Sequence, residues 1–317
     1  MSRLRWACWA LLATADVQAA ATGFAAADEA SDAPTGTPTP AQVLRAQVLL
    51  ERAHFSPGEI DGRVGSNFAR ALRGYQQHAG IEVTGKLDAP TWEALAADAS
   101  PVLVDYTIAA ADVAGPFAPL PEGMAEKATL PALGYESPLE GLAEKFHAAP
   151  ALLQALNDGV DFASEGTTIR VPAVDAPPPP KAARVVVDKS DSTLALLDEA
   201  GNVVAQYPAT TGSEHDPLPI GEWKVKGVAK DPVFHYNPEL FWDADASDEK
   251  ATLKPGPNNP VGPVWVDLDI PHYGIHGTPE PATIAKTQSH GCIRLTNWSA
   301  IELSGVVAPG TPATLQE

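Results

Sequence analysis

The sequence predicts a multidomain chain: an α-helical three-helix bundle, a small α+β module, and a C-terminal, mainly-β sandwich. Three observations predict it. The length of 317 residues exceeds one ordinary domain. The apolar pattern changes from helical spacing before residue 98 to short β-branched and apolar runs after residue 184. Two proline-rich stretches mark boundaries, 28–40 before the helical region and 175–183 before the β region.

Taking the chain in order, Arg3 and Arg5 precede a short apolar run from Trp6 to Ala15, followed by alanine-rich sequence. A basic start, a brief apolar stretch and small residues describe an export signal over 1–27, cut after Ala27 or, alternatively, at Ala19–Ala21. The run is too short to span a bilayer, so no transmembrane segment is expected after cleavage. Residues 28–40 read as a flexible linker.

The region 41–98 reads as three helices. Leu44, Val48 and Leu49 share one face; Phe68, Leu72 and Tyr75 share another, on a helix opened by Gly65-Ser66 and closed by Gly80. Asp61-Gly62 marks a turn, and a short helix from Pro90 carries Trp92 and Leu95 inward. The string Gln47-Val48-Leu49-Leu50, Ile60-Asp61-Gly62-Arg63-Val64-Gly65, Phe68 to Leu72, Tyr75-Gln76 and Val83-Thr84-Gly85 resembles the peptidoglycan-binding domain 1 family. That resemblance implies a module that holds an enzyme on cell-wall glycan or stem peptide.

Residues 102–174 read as strand, two short helices and closing strand: Tyr106 to Ile108, Leu139 to His147, Pro150 to Asn157, and Thr168 to Pro172. The order is similar to a LysM glycan-binding domain, with Gly115 to Pro138 as an insertion that the usual pattern lacks. Four consecutive prolines, Pro177 to Pro180, then make a stiff connector and the sharpest boundary in the chain.

From 184 to 317 the sequence reads as β. Arg184 to Asp188, Thr193 to Leu197, Val203 to Tyr207, Trp223 to Val228, Val264 to Leu268 and Tyr273 to His276 are strand-like and separated by Gly, Pro and Asn.

Charge and cysteine content narrow the chemistry. Forty acidic against 21 basic residues give a net charge of −19, which disfavours nucleic acid and anionic membrane surfaces as partners. The two cysteines are Cys8, inside the expected signal, and Cys292. An exported chain with one remaining thiol cannot form an internal disulfide, so Cys292 is either inert in a core or chemically used.

Around Cys292 lie His272, Tyr273, Gly274, Ile275, His276, Gly277 and Thr278, then Ser289, His290, Gly291, Arg294 and Asn297. A cysteine nucleophile needs an imidazole to take its proton, a third group to orient that ring, and small neighbours that let a carbonyl approach. Zinc held by His272, His276, His290 and Cys292, and a merely buried thiol with hydrogen-bonded histidines, are the competing readings. The strand-like setting of His272 to His276 weakens the zinc argument, because i, i+4 spacing shares a face on a helix only.

Ile275-His276-Gly277-Thr278, followed after ten residues by Ser289-His290-Gly291-Cys292-Ile293-Arg294-Leu295, resembles the L,D-transpeptidase (YkuD) signature. Tyr207 to Gly212, Pro219 to Trp223 and Pro255 to Gly262 extend the likeness; Pro219 departs from it where threonine is usual. The resemblance implies Cys292 as nucleophile, His276 as base oriented by the Gly277 carbonyl, and Gly291 and Cys292 amides as the oxyanion hole. His290 would shape the substrate side. Arg294, Ser289, Tyr273 and Thr278 are the substrate-binding candidates, and no cofactor is implied.

The implied reaction attacks the third residue of a tetrapeptide stem, releases terminal D-alanine, and passes the thioester to a neighbouring diaminopimelate amine. Water as acceptor would give an L,D-carboxypeptidase, and a protein amine would give wall-protein attachment. An inactive wall-anchored scaffold is the reading of another class. The expected partners are peptidoglycan stem peptides and glycan, in the periplasm or cell envelope.

Overall fold

The computed structural model describes residues 24, 26–30, 32–245 and 247–317. The expected signal falls outside this set except for Phe24, Ala26 and Ala27. Phe24 and Ala27 are buried in the N-terminal core, so a cut after Ala27 would strip two side chains from it, whereas a cut at Ala19–Ala21 would keep both.

Three helices, α1 (Pro40–Arg52), α2 (Ser66–Ala79) and α3 (Ala89–Leu95), pack through Leu44, Val48, Phe68, Leu72, Trp92 and Leu95. Thr39 caps α1 reciprocally with Gln42, and Gly80 ends α2 in the left-handed conformation at φ 67°. Two buried glutamines hold the turns. Gln47 accepts from the amides of Asp61 and Gly62, and Gln76 accepts from those of Thr84 and Gly85. Each turn's orphan donors are thereby satisfied inside the core.

The middle segment pairs β1 (Leu103–Thr107) antiparallel with β2 (Thr168–Pro172), with α4 (Met124–Lys127), α5 (Pro138–Lys145) and α6 (Pro150–Leu156) between them. Its apolar side chains, including Ile108, Leu142, Leu153 and Ile169, join the core of α1–α3 in one continuous cluster. The 28–40 stretch is not a free linker throughout. Asp28 accepts from the amides of Val102 and Leu103 and pairs with Arg170 at 2.7 Å.

The C-terminal region is mainly β. Eight strands run in the order β11 (Ile293–Arg294), β10 (Gly274–His276), β9 (Val264–Leu268), β6 (Gly221–Lys230), β12 (Pro312–Gln316), β3 (Arg184–Asp188), β4 (Thr193–Leu197), β5 (Val203–Pro208). Strand β6 (Gly221–Lys230) spans both halves: residues 221–224 pair with β12 (Pro312–Gln316), and residues 225–230 pair with β9 (Val264–Leu268). A bulge between Val225 and Gly227 marks the passage. The two halves enclose Val185, Leu196, Val266, Ile275, Ile293 and Leu303. Leu303 comes from α7 (Asn297–Val306), a helix absent from the sequence reading. It is buried on most sides and so lacks the apolar-polar alternation that would announce it.

The modules are docked, and the proline connector does not separate them. Helix α2 lies against β5 (Val203–Pro208), where Gln206 donates to the Arg70 carbonyl. Gly74 permits the approach; a Cβ there would sit 2.7 Å from the Gln206 side chain. The backbone of His54 to Ser56 also exchanges hydrogen bonds with Gln206, covering the sheet's outer edge.

Candidate active site

Two short strands build the site. β10 (Gly274–His276) and β11 (Ile293–Arg294) pair in parallel, with His276 opposite Arg294. Alternate residues share a face, so Ile275 and Ile293 enter the core while Gly274, His276, Cys292 and Arg294 lie on the other side. His276, Cys292 and Arg294 all line a single cavity of about 940 Å³.

The His276 ring is oriented on two sides. Nδ1 lies 2.6 Å from the Gly277 carbonyl, which can only accept, so Nδ1 carries the proton and Nε2 keeps its lone pair. Trp265 on β9 stacks on the ring at 5.4 Å. Gly274 leaves room for that indole; a Cβ would come within 2.5 Å of it.

Burial sets the charge state. It pushes the His276 imidazole down to about 4, helped by Arg294 and opposed by the Gly277 carbonyl. Burial also pushes the Cys292 thiol up, against the Gly274 backbone and the Arg294 guanidinium, which pull it down. Both shifts favour the uncharged forms, a thiol on Cys292 and an imidazole on His276. Sγ lies 3.6 Å from the His272 carbonyl in this state.

Gly291 adopts φ 96°, and a Cβ there would come 2.7 Å from the Tyr273 ring, so glycine is required beside Cys292 on both counts. Tyr273 and Arg294 face the cavity. Among the described residues no carboxylate lies within ion-pair distance of Arg294, which leaves its guanidinium available to a substrate carboxylate.

Two of the substrate-binding expectations need correction. Ser289 and Thr278 are buried and do not line the cavity. The Ser289 hydroxyl donates to the Cys292 carbonyl and closes the Ser289–Cys292 turn. Thr278 accepts from the Glu280 amide, and its own N–H donates to Asn297 at 2.8 Å. His290 is turned toward a lid: its Nε2 meets Asp243 at 2.7 Å, and its ring packs against Phe241 and Trp242. Among the described residues no three His, Cys, Asp or Glu side chains converge as a metal group would.

The lid is what sequence reasoning missed. β7 (Phe234–Tyr236) pairs antiparallel with β8 (Ala251–Leu253); β7 and residues from Leu240 to Asp245 line the cavity, and both strands are too short to show alternation. The 115–138 insertion packs beneath this lid. Leu133 is fully buried against Tyr236 and Leu253, and Glu122 and Met124 reach the cavity wall.

Residues 182–315 match the family model described as "L,D-transpeptidase catalytic domain", and residues 39–95 match one described as "Putative peptidoglycan binding domain". The chain is 32% identical over 180 residues to a Bacillus licheniformis protein named "Putative L,D-transpeptidase YkuD", covering 56% of this chain and 92% of that one. A Bacillus subtilis protein of the same name is 28% identical over 179 residues, covering 56% and 92%. The solved L,D-transpeptidase of Xylanimonas cellulosilytica superposes with a TM-score of 0.38 at 16% identity, over 86% of this chain and 92% of that one.

Proposed function

The chain belongs to the YkuD family of L,D-transpeptidases, and from that membership we propose that it cross-links peptidoglycan stems through a thioester on Cys292. The observation that carries the reading is one sheet face presenting Cys292, His276 and an unpaired Arg294 to a common cavity.

The donor is a tetrapeptide stem. Cys292 Sγ attacks the carbonyl of its third residue while His276 Nε2 takes the thiol proton. The Gly291 and Cys292 amides hold the oxyanion. The bond to terminal D-alanine breaks, and the leaving amine takes the proton back from His276. The thioester is then attacked by a diaminopimelate amine, which gives its proton to Nε2; the C–S bond breaks as the new amide forms, and Nε2 passes that proton to the departing Sγ, restoring the thiol and the neutral imidazole. Arg294 holds a stem carboxylate. The lid and the Trp265 stack keep water from the thioester, which favours the amine acceptor over hydrolysis. Residues 39–95 hold the enzyme on the wall, and the 1–27 segment directs it to the periplasm or envelope.

The test is mass spectrometry. A carbapenem adds its mass to wild type and leaves Cys292→Ala unmodified; folded wild type without an adduct overturns the thioester. Purified muropeptides with and without a second stem then separate cross-linking from release of D-alanine alone.

A further inference from the structure

Asn297 is fully buried and touches the catalytic strand from below. Its Oδ1 accepts from the Thr278 amide at 2.8 Å. The same oxygen sits so close to Gly277 and Gly262 that a Cβ on either would fall 2.2 Å from it. The amide is thus wedged against the peptide whose carbonyl orients His276.

An asparagine amide has two orientations of nearly equal shape, and its partners decide between them. Here Nδ2 donates to both carboxylate oxygens of Glu144, at 3.0 Å each, and to the Pro257 carbonyl at 3.0 Å. Glu144 belongs to α5 of the middle module, outside the 182–315 catalytic match. It is held in turn by Tyr135 of the insertion, whose hydroxyl donates to it at 3.0 Å. Tyr135 lies over Gly141, where a Cβ would come 2.9 Å from its ring.

We propose that Glu144 is a positioning residue: through Asn297 it fixes the Gly277-Thr278 peptide, and hence the ring of His276, from a neighbouring module. The inference rests on the transpeptidase reading for its effect on rate, but its geometric core does not. It gives the middle segment and its insertion a role that glycan binding would not require. The catalytic region then depends on a carboxylate it does not itself contain. Removing that carboxylate leaves Nδ2 with one acceptor and frees the loop to shift, and small misplacement of a base costs rate steeply.

The experiment compares full-length wild type, Glu144→Ala and Glu144→Gln. Hydrogen exchange is followed in the peptide containing Thr278 and, as a control, in the β3–β4 pair (Arg184–Asp188 and Thr193–Leu197). Glu144→Ala is expected to speed exchange at Thr278 about tenfold with the control unchanged, and Glu144→Gln, which keeps one acceptor, to recover most of the protection. Carbapenem acylation should slow about tenfold in the Ala variant through the covalent step, with apparent binding unchanged. Exchange at Thr278 that stays at the wild-type rate in Glu144→Ala, or rises equally in the control, overturns the proposal. Wild type that resists the carbapenem yet shows the local exchange difference would sink the thioester reading and support the positioning role.

Discussion

Asp243, on the lid, accepts a 2.7 Å hydrogen bond from Nε2 of His290, two residues before Cys292. Phe241 and Trp242 flank the same imidazole, and Trp242 stacks on His215 at 4.3 Å. The lid is therefore latched to the Ser289–Cys292 loop by a polar contact set in an aromatic frame.

Breaking that contact should loosen the lid without touching the chemistry. The pair is partly exposed, with Asp243 side-chain accessibility at 47%, so it contributes no more than about 1 kcal/mol. Asp243→Ala is expected to raise KM for a stem-peptide donor about threefold to fivefold, with kcat almost unchanged. Steady-state kinetics check this, and an equal fall in kcat would place Asp243 in the chemical step instead.

The neutral resting pair predicts how the thiol titrates. Because burial holds Cys292 above its ordinary range and His276 at about 4, no preformed thiolate exists at mild pH. The rate of Cys292 alkylation by iodoacetamide should climb by about one log unit per pH unit through the neutral and mildly basic range. A rate that is flat above pH 5 would instead reveal a thiolate–imidazolium pair.

Two buried groups should tilt stability in opposite directions. His276 has a folded value of about 4 against an ordinary 6.5, so the unfolded chain binds the extra proton between them and stability rises with pH there. Glu144 is pushed up to about 7 from 4.5 by burial, with Glu140 adding to the rise and Asn297, Tyr135 and His147 opposing it. Its folded form holds the extra proton, so its contribution is complete below 4.5 and is lost as pH rises through 7. Each shift corresponds to about 3 kcal/mol at most. Relative to wild type, denaturant unfolding of Glu144→Gln should gain stability as pH rises from 4.5 to 7, and His276→Gln should gain it as pH falls from 6.5 to 4.

The insertion and lid meet at Gly256. Its φ is 153°, and a Cβ would lie 2.0 Å from the Leu133 carbonyl, which accepts from the Asn258 amide. Backbone cannot yield there as a side-chain tip could. Gly256→Ala should cost about 2 kcal/mol and expose residues 115–138 to protease before the sheet unfolds. Timed proteolysis with mass mapping checks both, and an unchanged digestion pattern would mean that the insertion is not held at this point.

Much of the architecture was legible because it rests on local chemistry. β-branched and apolar runs between turn residues announced β3, β4, β5 and β9; a shared apolar face announced α1, and that face with its terminal glycines announced α2; and the Ile275–Thr278 and Ser289–Leu295 strings carried the reactive groups. Helix α7 and the lid strands were not legible. A helix buried on most sides has no polar stripe, and a three-residue strand has no period. Ser289 and Thr278 looked like substrate contacts because residue type and proximity do not say which way a side chain points.

By itself the sequence determined the order of modules and the presence of a thiol, an imidazole and a glycine turn, since each is written within a few neighbouring residues. Only the tertiary structure decided what surrounds them. The partner of His290 lies 47 residues away, and that of Asn297 lies 153 residues away on another module. Such contacts depend on how packed layers bring distant backbone together, and no local propensity encodes that distance.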